Sequence, residues 1–158
     1  MIKFLFIALL IVPLAACDQQ TIDKSQSLPV QALSIVGQDG KTHNLEVELA
    51  LTPKEMATGL MFRESMEENH GMLFFFGQEQ ELRFWMKNTL IPLDMLFIKS
   101  DGTIHHIHEN AIPHDLTGIP SQGPVSAVLE INGGLAAKWG ISKGDKVKHE
   151  LFDRKAAQ

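Results

Sequence analysis

The chain contains one cysteine, Cys17, which excludes an intrachain disulfide and removes the commonest structural zinc pattern. It has no Gly-x-Ser-x-Gly nucleophile turn, no phosphate-binding glycine loop and no dinucleotide fingerprint. The usual sequence signatures of hydrolysis, phosphoryl transfer and hydride transfer are therefore missing. Positive charge is also scarce: 14 Lys+Arg stand against 19 Asp+Glu, a formal net charge of -5. Several basic residues fall between Lys143 and Lys155, but Asp145, Glu150 and Asp153 interleave with them. Phosphate binding needs clustered Lys/Arg to release counterions, so a nucleic-acid partner is not expected. No internal repeat is visible, and no apolar run approaches the roughly 20 residues that a membrane-spanning helix requires.

What the chain does have begins with an address. Lys3 is followed by the unbroken apolar run Phe4 to Val12, ended by Pro13, which suits the core of a secretory signal peptide. Leu14-Ala15-Ala16-Cys17 resembles the bacterial lipoprotein signal, in which the cysteine is acylated and becomes the first mature residue. Residues 1–17 are thus expected to be a signal peptide and Cys17 a lipid anchor, since several acyl chains hold a protein stably where one does not. The expected location is the cell envelope, lipid-anchored and facing the periplasm. Asp18 favours the inner membrane. Loss of Lys3 with the signal takes the formal charge from -5 to -6. Residues 18–29 are polar and aperiodic and read as a flexible tether. A single β-rich domain is expected over 30–152, with a frayed tail at 153–158.

Within that domain the pattern predicts many short strands and little helix. Val30 to Val36 and His43 to Ala50 flank Asp39-Gly40, a hairpin signal. Thr52-Pro53-Lys54-Glu55 forms a capping box with proline at the first helical position, predicting a helix from Pro53 to about Phe62 with Met56, Leu60 and Met61 inward. Strands follow at Met72 to Phe76, Leu82 to Lys87 and Leu93 to Ile98, with Gln78 to Glu81 as a polar turn. Ser100-Asp101-Gly102 is a second hairpin signal leading into Thr103 to His108. Ala111 to Gly123 reads as the longest irregular segment. Val125 to Ile131 is a strand, Gly133 to Trp139 a short helix opened by Asn132, and Lys146 to Phe152 a last strand. About seven or eight strands with one capped and one short helix give a β-rich α+β domain. A small, largely antiparallel β-barrel removes exposed edges most simply.

Five blocks carry a resemblance. Gly59-Leu60-Met61-Phe62-Arg63, Gly71-Met72-Leu73-Phe74, Phe84-Trp85-Met86-Lys87-Asn88-Thr89, Ile91-Pro92-Leu93-Asp94 and Leu129-Glu130-Ile131-Asn132-Gly133-Gly134 resemble, in order and spacing, domain of unknown function 192, also called uncharacterised protein family 0127. The likeness spans roughly Val30 to Phe152, and the Phe-Trp-Met-Lys-Asn-Thr block is its most specific part. It implies a small β-rich domain, often secreted or membrane-attached, and implies no activity.

Candidate chemistry concentrates in the same blocks. Trp85, Met86, Lys87, Asn88, Asp94 and Glu130 combine apolar mass with few polar groups, as ligand pockets do. Alternation places Arg83, Trp85 and Lys87 on one face of their strand and Phe84 and Met86 on the other. The plain structural reading is that Asn88 and Asp94 accept loop N–H groups while Lys87 pairs with Asp94. Glu130, if buried, needs a partner, with Lys87, Arg63 and Arg83 available. Gly133-Gly134 could offer N–H groups to an anion. His106 and His108 share a strand face roughly 6.6 Å apart and could ligate one ion, with His105 pointing away. Three functions remain open. The first is a membrane-tethered binding module for a small ligand or an envelope protein, needing no cofactor. The second is a hydrolase or lyase using Lys87, Asp94 and Glu130. The third is a periplasmic copper or zinc site at His106 and His108.

Overall fold

The computed structural model describes residues 28–153. The expected signal peptide with Cys17, nearly all of the tether and the tail beyond residue 153 lie outside the described residues. Ten elements follow in order: β1 (Val30–Val36), β2 (Thr42–Ala50), α1 (Pro53–Thr58), β3 (His70–Phe84), β4 (Leu93–Ile98), β5 (Ile104–Ala111), β6 (Ile119–Asn132), α2 (Leu135–Trp139), β7 (Lys146–Lys148) and α3 (Glu150–Asp153). None of these helices is long and apolar enough to cross a membrane.

The seven strands form one sheet in the order β5-β4-β6-β3-β2-β1-β7. Only β2 and β3 run parallel, because the α1 connection carries the chain back over the sheet between them. All other neighbours are antiparallel. The sheet curls until its two edges touch. Thr103 and Lys146 form a bridge there, Ile104 N–H donates to the Asp145 carbonyl (2.9 Å) and Val147 N–H to that of Gly102 (2.8 Å). The expected β-rich, largely antiparallel fold is present with seven strands, and the barrel takes the form of a curled half-barrel stitched at this edge.

The curl gives β3, β4 and β6 two buried faces. Inward, Leu73, Leu96, Ile98, Leu129 and Ile131 pack against Leu33, Ile35, Val47 and Val147 as the barrel core. Outward, Met72, Phe74, Leu93, Met95, Phe97 and Val128 form a second apolar layer with Leu60 and Met86. An exposed sheet face would alternate apolar with polar. Here both sides of each strand are largely apolar, so Met72 to Phe76 is an unbroken apolar run and Leu93 to Ile98 is interrupted only by the buried Asp94.

Four expectations need correction. α1 stops at Thr58 rather than reaching Phe62, although its capping box is complete: Glu55 N–H donates to the Thr52 hydroxyl, and the Glu55 carboxylate accepts from Thr52 N–H. Gly59, at φ 47°, ends the helix, and a Cβ there would lie 3.1 Å from the Phe74 ring, so the chain turns where it meets β3. Second, Gln78 to Glu81 is not a turn between two strands. It lies in one long β3, with Gln80 opposite Val125 and Glu81 opposite Pro124 across a register shift. Third, β6 begins at Ile119, so the irregular segment after β5 is only residues 112–118. Fourth, the last strand ends at Lys148 and the chain turns into α3, which sets Phe152 edge-on to Phe75 (5.8 Å) against the barrel core.

Candidate functional site

Alternation along β6 decides what Glu130 sees. Leu129 and Ile131 face the barrel, so Glu130 faces the outer layer, directly between Met72 of β3 and Met95 of β4. It is 5% exposed and has no hydrogen bond or ion pair among the described residues. Burial alone raises its carboxyl from the ordinary 4.5 to about 8. The expectation that a buried Glu130 would be paired fails, and each candidate partner is elsewhere. Arg63 forms a two-pronged ion pair with Glu48, Arg83 donates to the Gly118 carbonyl (3.3 Å), and Lys87 Nζ lies 5.3 Å from the Trp85 ring centroid. An unpaired carboxyl in apolar surroundings keeps its proton instead.

Over Glu130 lies a pocket of about 270 Å³. One side is α1 and its exit turn, from Met56 to Met61. Phe74, Phe76 and Phe84 form the back, Trp85, Lys87 and Thr89 the far side, with Arg83 beside them and Glu130 in the wall. β3 bends at its register shift, which brings Phe84 back onto Phe74 (5.2 Å, edge-on) and Phe76 (6.4 Å). Those contacts fix the aromatic wall and hold Arg83 and Trp85 at the opening. Three turns are tied together around it. Phe62 N–H donates to the Asn88 carbonyl (2.8 Å), Met86 N–H to that of Asp115 (2.9 Å) and His114 N–H to that of Thr89 (3.3 Å). Phe62, Asn88 and His114 all have left-handed backbones, with φ of 63°, 54° and 63°. For phenylalanine this conformation is costly, on the order of 1–3 kcal/mol, and here it leaves the ring exposed.

The structure brings together three of the six pocket candidates. Trp85, Lys87 and Glu130 line the cavity. Met86 is fully buried in the outer layer, and Asn88 shapes the turn, its amide near Met61 Sδ (3.8 Å). Asp94 sits apart. It lies opposite Ile131 on β6, on the barrel side, and accepts N–H groups from Asn110 (2.8 Å), Gly134 (2.9 Å) and Ala136 (2.8 Å). The expected Lys87–Asp94 pair is absent because backbone donors fill that carboxylate. For the same reason Gly134 has no N–H left for an anion, and Gly133 N–H is bonded to Pro92. A Lys87/Asp94/Glu130 constellation therefore does not assemble.

His106 lies flat over Phe97 (5.7 Å, 17°), its imidazole held below its ordinary value by burial and then by His108, His105 and Lys143. His105 bonds the Gln122 carbonyl (3.0 Å). Among the described residues no three His, Cys, Asp or Glu side chains are placed to hold a metal. The pocket residues that sequence reasoning did not single out are Phe74, Phe76, Phe84, Thr89 and the α1 side chains. Only the inward face of α1 left a signal, in Met56, Leu60 and Met61. The bend of β3 that recruits Phe84 has no local signature.

A family model described as "Uncharacterized ACR", domain of unknown function 192, matches residues 34–149. Among solved structures, a protein of Sinorhizobium meliloti 1021 called a "putative transcription regulator" is 46% identical with a TM-score of 0.79, covering 80% of this chain and 98% of its own. A protein of unknown function from Novosphingobium aromaticivorans DSM 12444 is 44% identical with a TM-score of 0.76, covering 80% and 89%. No curated protein matches the chain.

Proposed function

Because the chain belongs to the domain of unknown function 192 family, which carries no assigned activity, we propose its function from its own pocket: a binding module of the cell envelope that takes a small ligand. The observation that carries this reading is the combination at one place of an aromatic and methionine wall, two exposed cations and a buried carboxyl group with no partner among the described residues. Sites that bind small molecules are built this way, mostly apolar with a few placed polar groups. The volume of about 270 Å³ lies near the lower end of such sites, so the ligand is small. Residues 1–17 support placing the module at the periplasmic side of a membrane, held through Cys17. The regulator name of the Sinorhizobium relative is not carried over, since a net charge of -5 without a Lys/Arg cluster lacks the footprint of nucleic-acid binding.

Two measurements test the reading. A thermal-shift screen of small metabolites should find compounds that raise the melting temperature of the wild type but not of Trp85→Ala. A screen in which both proteins respond alike would remove the pocket from the account. Membrane fractionation of the full chain should find it membrane-bound, and Cys17→Ser released; an unchanged distribution would remove the anchor. A hydrolase or lyase reading now retains only Lys87 and Glu130, without the third carboxylate it called for.

A further inference from the structure

The charges around the pocket have a definite imbalance. Arg83 and Lys87 both line it, and neither forms an ion pair among the described residues. The acids near the surrounding turns are already engaged: Glu48 by Arg63, Asp115 by the backbone of Thr117, Asp94 by three N–H groups on the barrel side. α1 and its exit turn face the cavity with apolar groups and the Thr58 hydroxyl. β4 places the apolar Met95 beside Glu130. Among the described residues Glu130 is then the only acid lining the pocket, and burial holds it in its neutral form, with an O–H that has no acceptor among those residues. The cavity thus offers two positive charges, held only by the Gly118 carbonyl and the Trp85 ring, and one hydrogen-bond donor, with no anion among the described residues to answer them.

We propose that this pocket binds a small apolar monocarboxylate, its hydrocarbon body against Phe76, Phe84 and Trp85 and its carboxylate shared between the Arg83 and Lys87 cations and the Glu130 O–H. The assignment rests on the binding-module reading and adds the ligand's chemical class. A cationic ligand would meet two like charges and would have to displace the Glu130 proton. A neutral alcohol would leave both cations unmatched. An anion answers all three groups, and O–H···O⁻ and N⁺–H···O⁻ hydrogen bonds are the strong kind.

Isothermal titration with three probes of one body, phenylacetate, phenethyl alcohol and phenethylamine, tests this on the folded chain. Phenylacetate should bind tightest. Since the ligand needs protonated Glu130, its affinity should fall about tenfold between pH 7 and pH 9. Glu130→Gln keeps a donor and cannot ionise, so it should bind phenylacetate equally at both pH values. Lys87→Met should weaken binding several-fold at pH 7. A wild-type preference for the amine or the alcohol, abolished by Trp85→Ala, would overturn the ligand class and leave the binding pocket standing. Phenylacetate binding whose pH dependence persists in Glu130→Gln would overturn the role of Glu130. Failure of all three probes would overturn both the class and the pocket.

Discussion

Glu130 is buried with no partner among the described residues, and that has a measurable cost. Its folded carboxyl titrates at about 8 and an ordinary one at 4.5, so between those values the folded chain holds a proton that the unfolded chain has released. Stability therefore falls as pH rises through that window, is unaffected by this group below about 4.5, and levels off above about 8. Glu130→Gln removes the titration. Urea unfolding of wild type and variant should show similar stability near pH 4.5 and a gap opening toward pH 8 and above in favour of glutamine, on the order of 4 kcal/mol. A gap that stays constant with pH would mean that Glu130 finds a partner in solution. That the residue faces its pocket could be read from strand alternation, given that both flanking residues are buried. That it lacks a partner could not, because Arg63 and Arg83 are drawn off by contacts distant in sequence, while Lys87 lies over Trp85 two residues away.

Elements in this domain are joined by carboxylates acting on backbone. Asp94 of β4 receives the N–H of Asn110 at the end of β5 and those of Gly134 and Ala136 at the start of α2, a helix whose own N-cap residue, Gly134, has no side chain to bond. One buried group thus caps a helix some forty residues away and pins the neighbouring strand. Asp94→Ala leaves three donors without an acceptor and should cost about 3 kcal/mol or more. Hydrogen exchange should locate the loss at the amides of Asn110, Gly134 and Ala136; uniform protection across α2 would show that the cap is dispensable. How legible each element was follows from the same distinction. The α1 capping box closes within four residues, and β1 and β4 each lead into an Asp-Gly hairpin turn, so their signals are local even though each also pairs with a distant strand. The polar run Gln78 to Glu81 has turn composition, but pairing with β6 overrides it. Leu151 and Phe152 continue a strand-like run, but the end of the barrel needs a plug.

At the scale of the molecule, the seam between β5 and β7 turns an open sheet into a curled one. It passes through Gly102, at φ 80°, where a Cβ would meet the carbonyl oxygen of Val147. Gly102→Ala is therefore strained in its backbone and sterically blocked, and should cost about 2 kcal/mol or more. Its amides at Ile104 and Val147 should exchange fastest, while the outer layer keeps its protection. Loss of protection throughout would mean that seam and outer layer melt as one unit. Closure of the sheet was foreseeable from the need to hide strand edges. Which residues close it was not, because Thr103 and Lys146 are brought together only by the finished curl.

β4 and β6 pass between the barrel and the outer layer, and every second residue belongs to a different one. Leu96, Ile98, Leu129 and Ile131 belong to the barrel, while Met95, Phe97, Val128 and Glu130 belong to the side that carries the pocket. Natural variation at one set can proceed while the other is held constant, residue by residue along the same strand. Of the outer set only Glu130 lines the cavity itself, while Met95, Phe97 and Val128 are the packed layer behind it, so the pocket's chemistry and its support alternate along the same two strands.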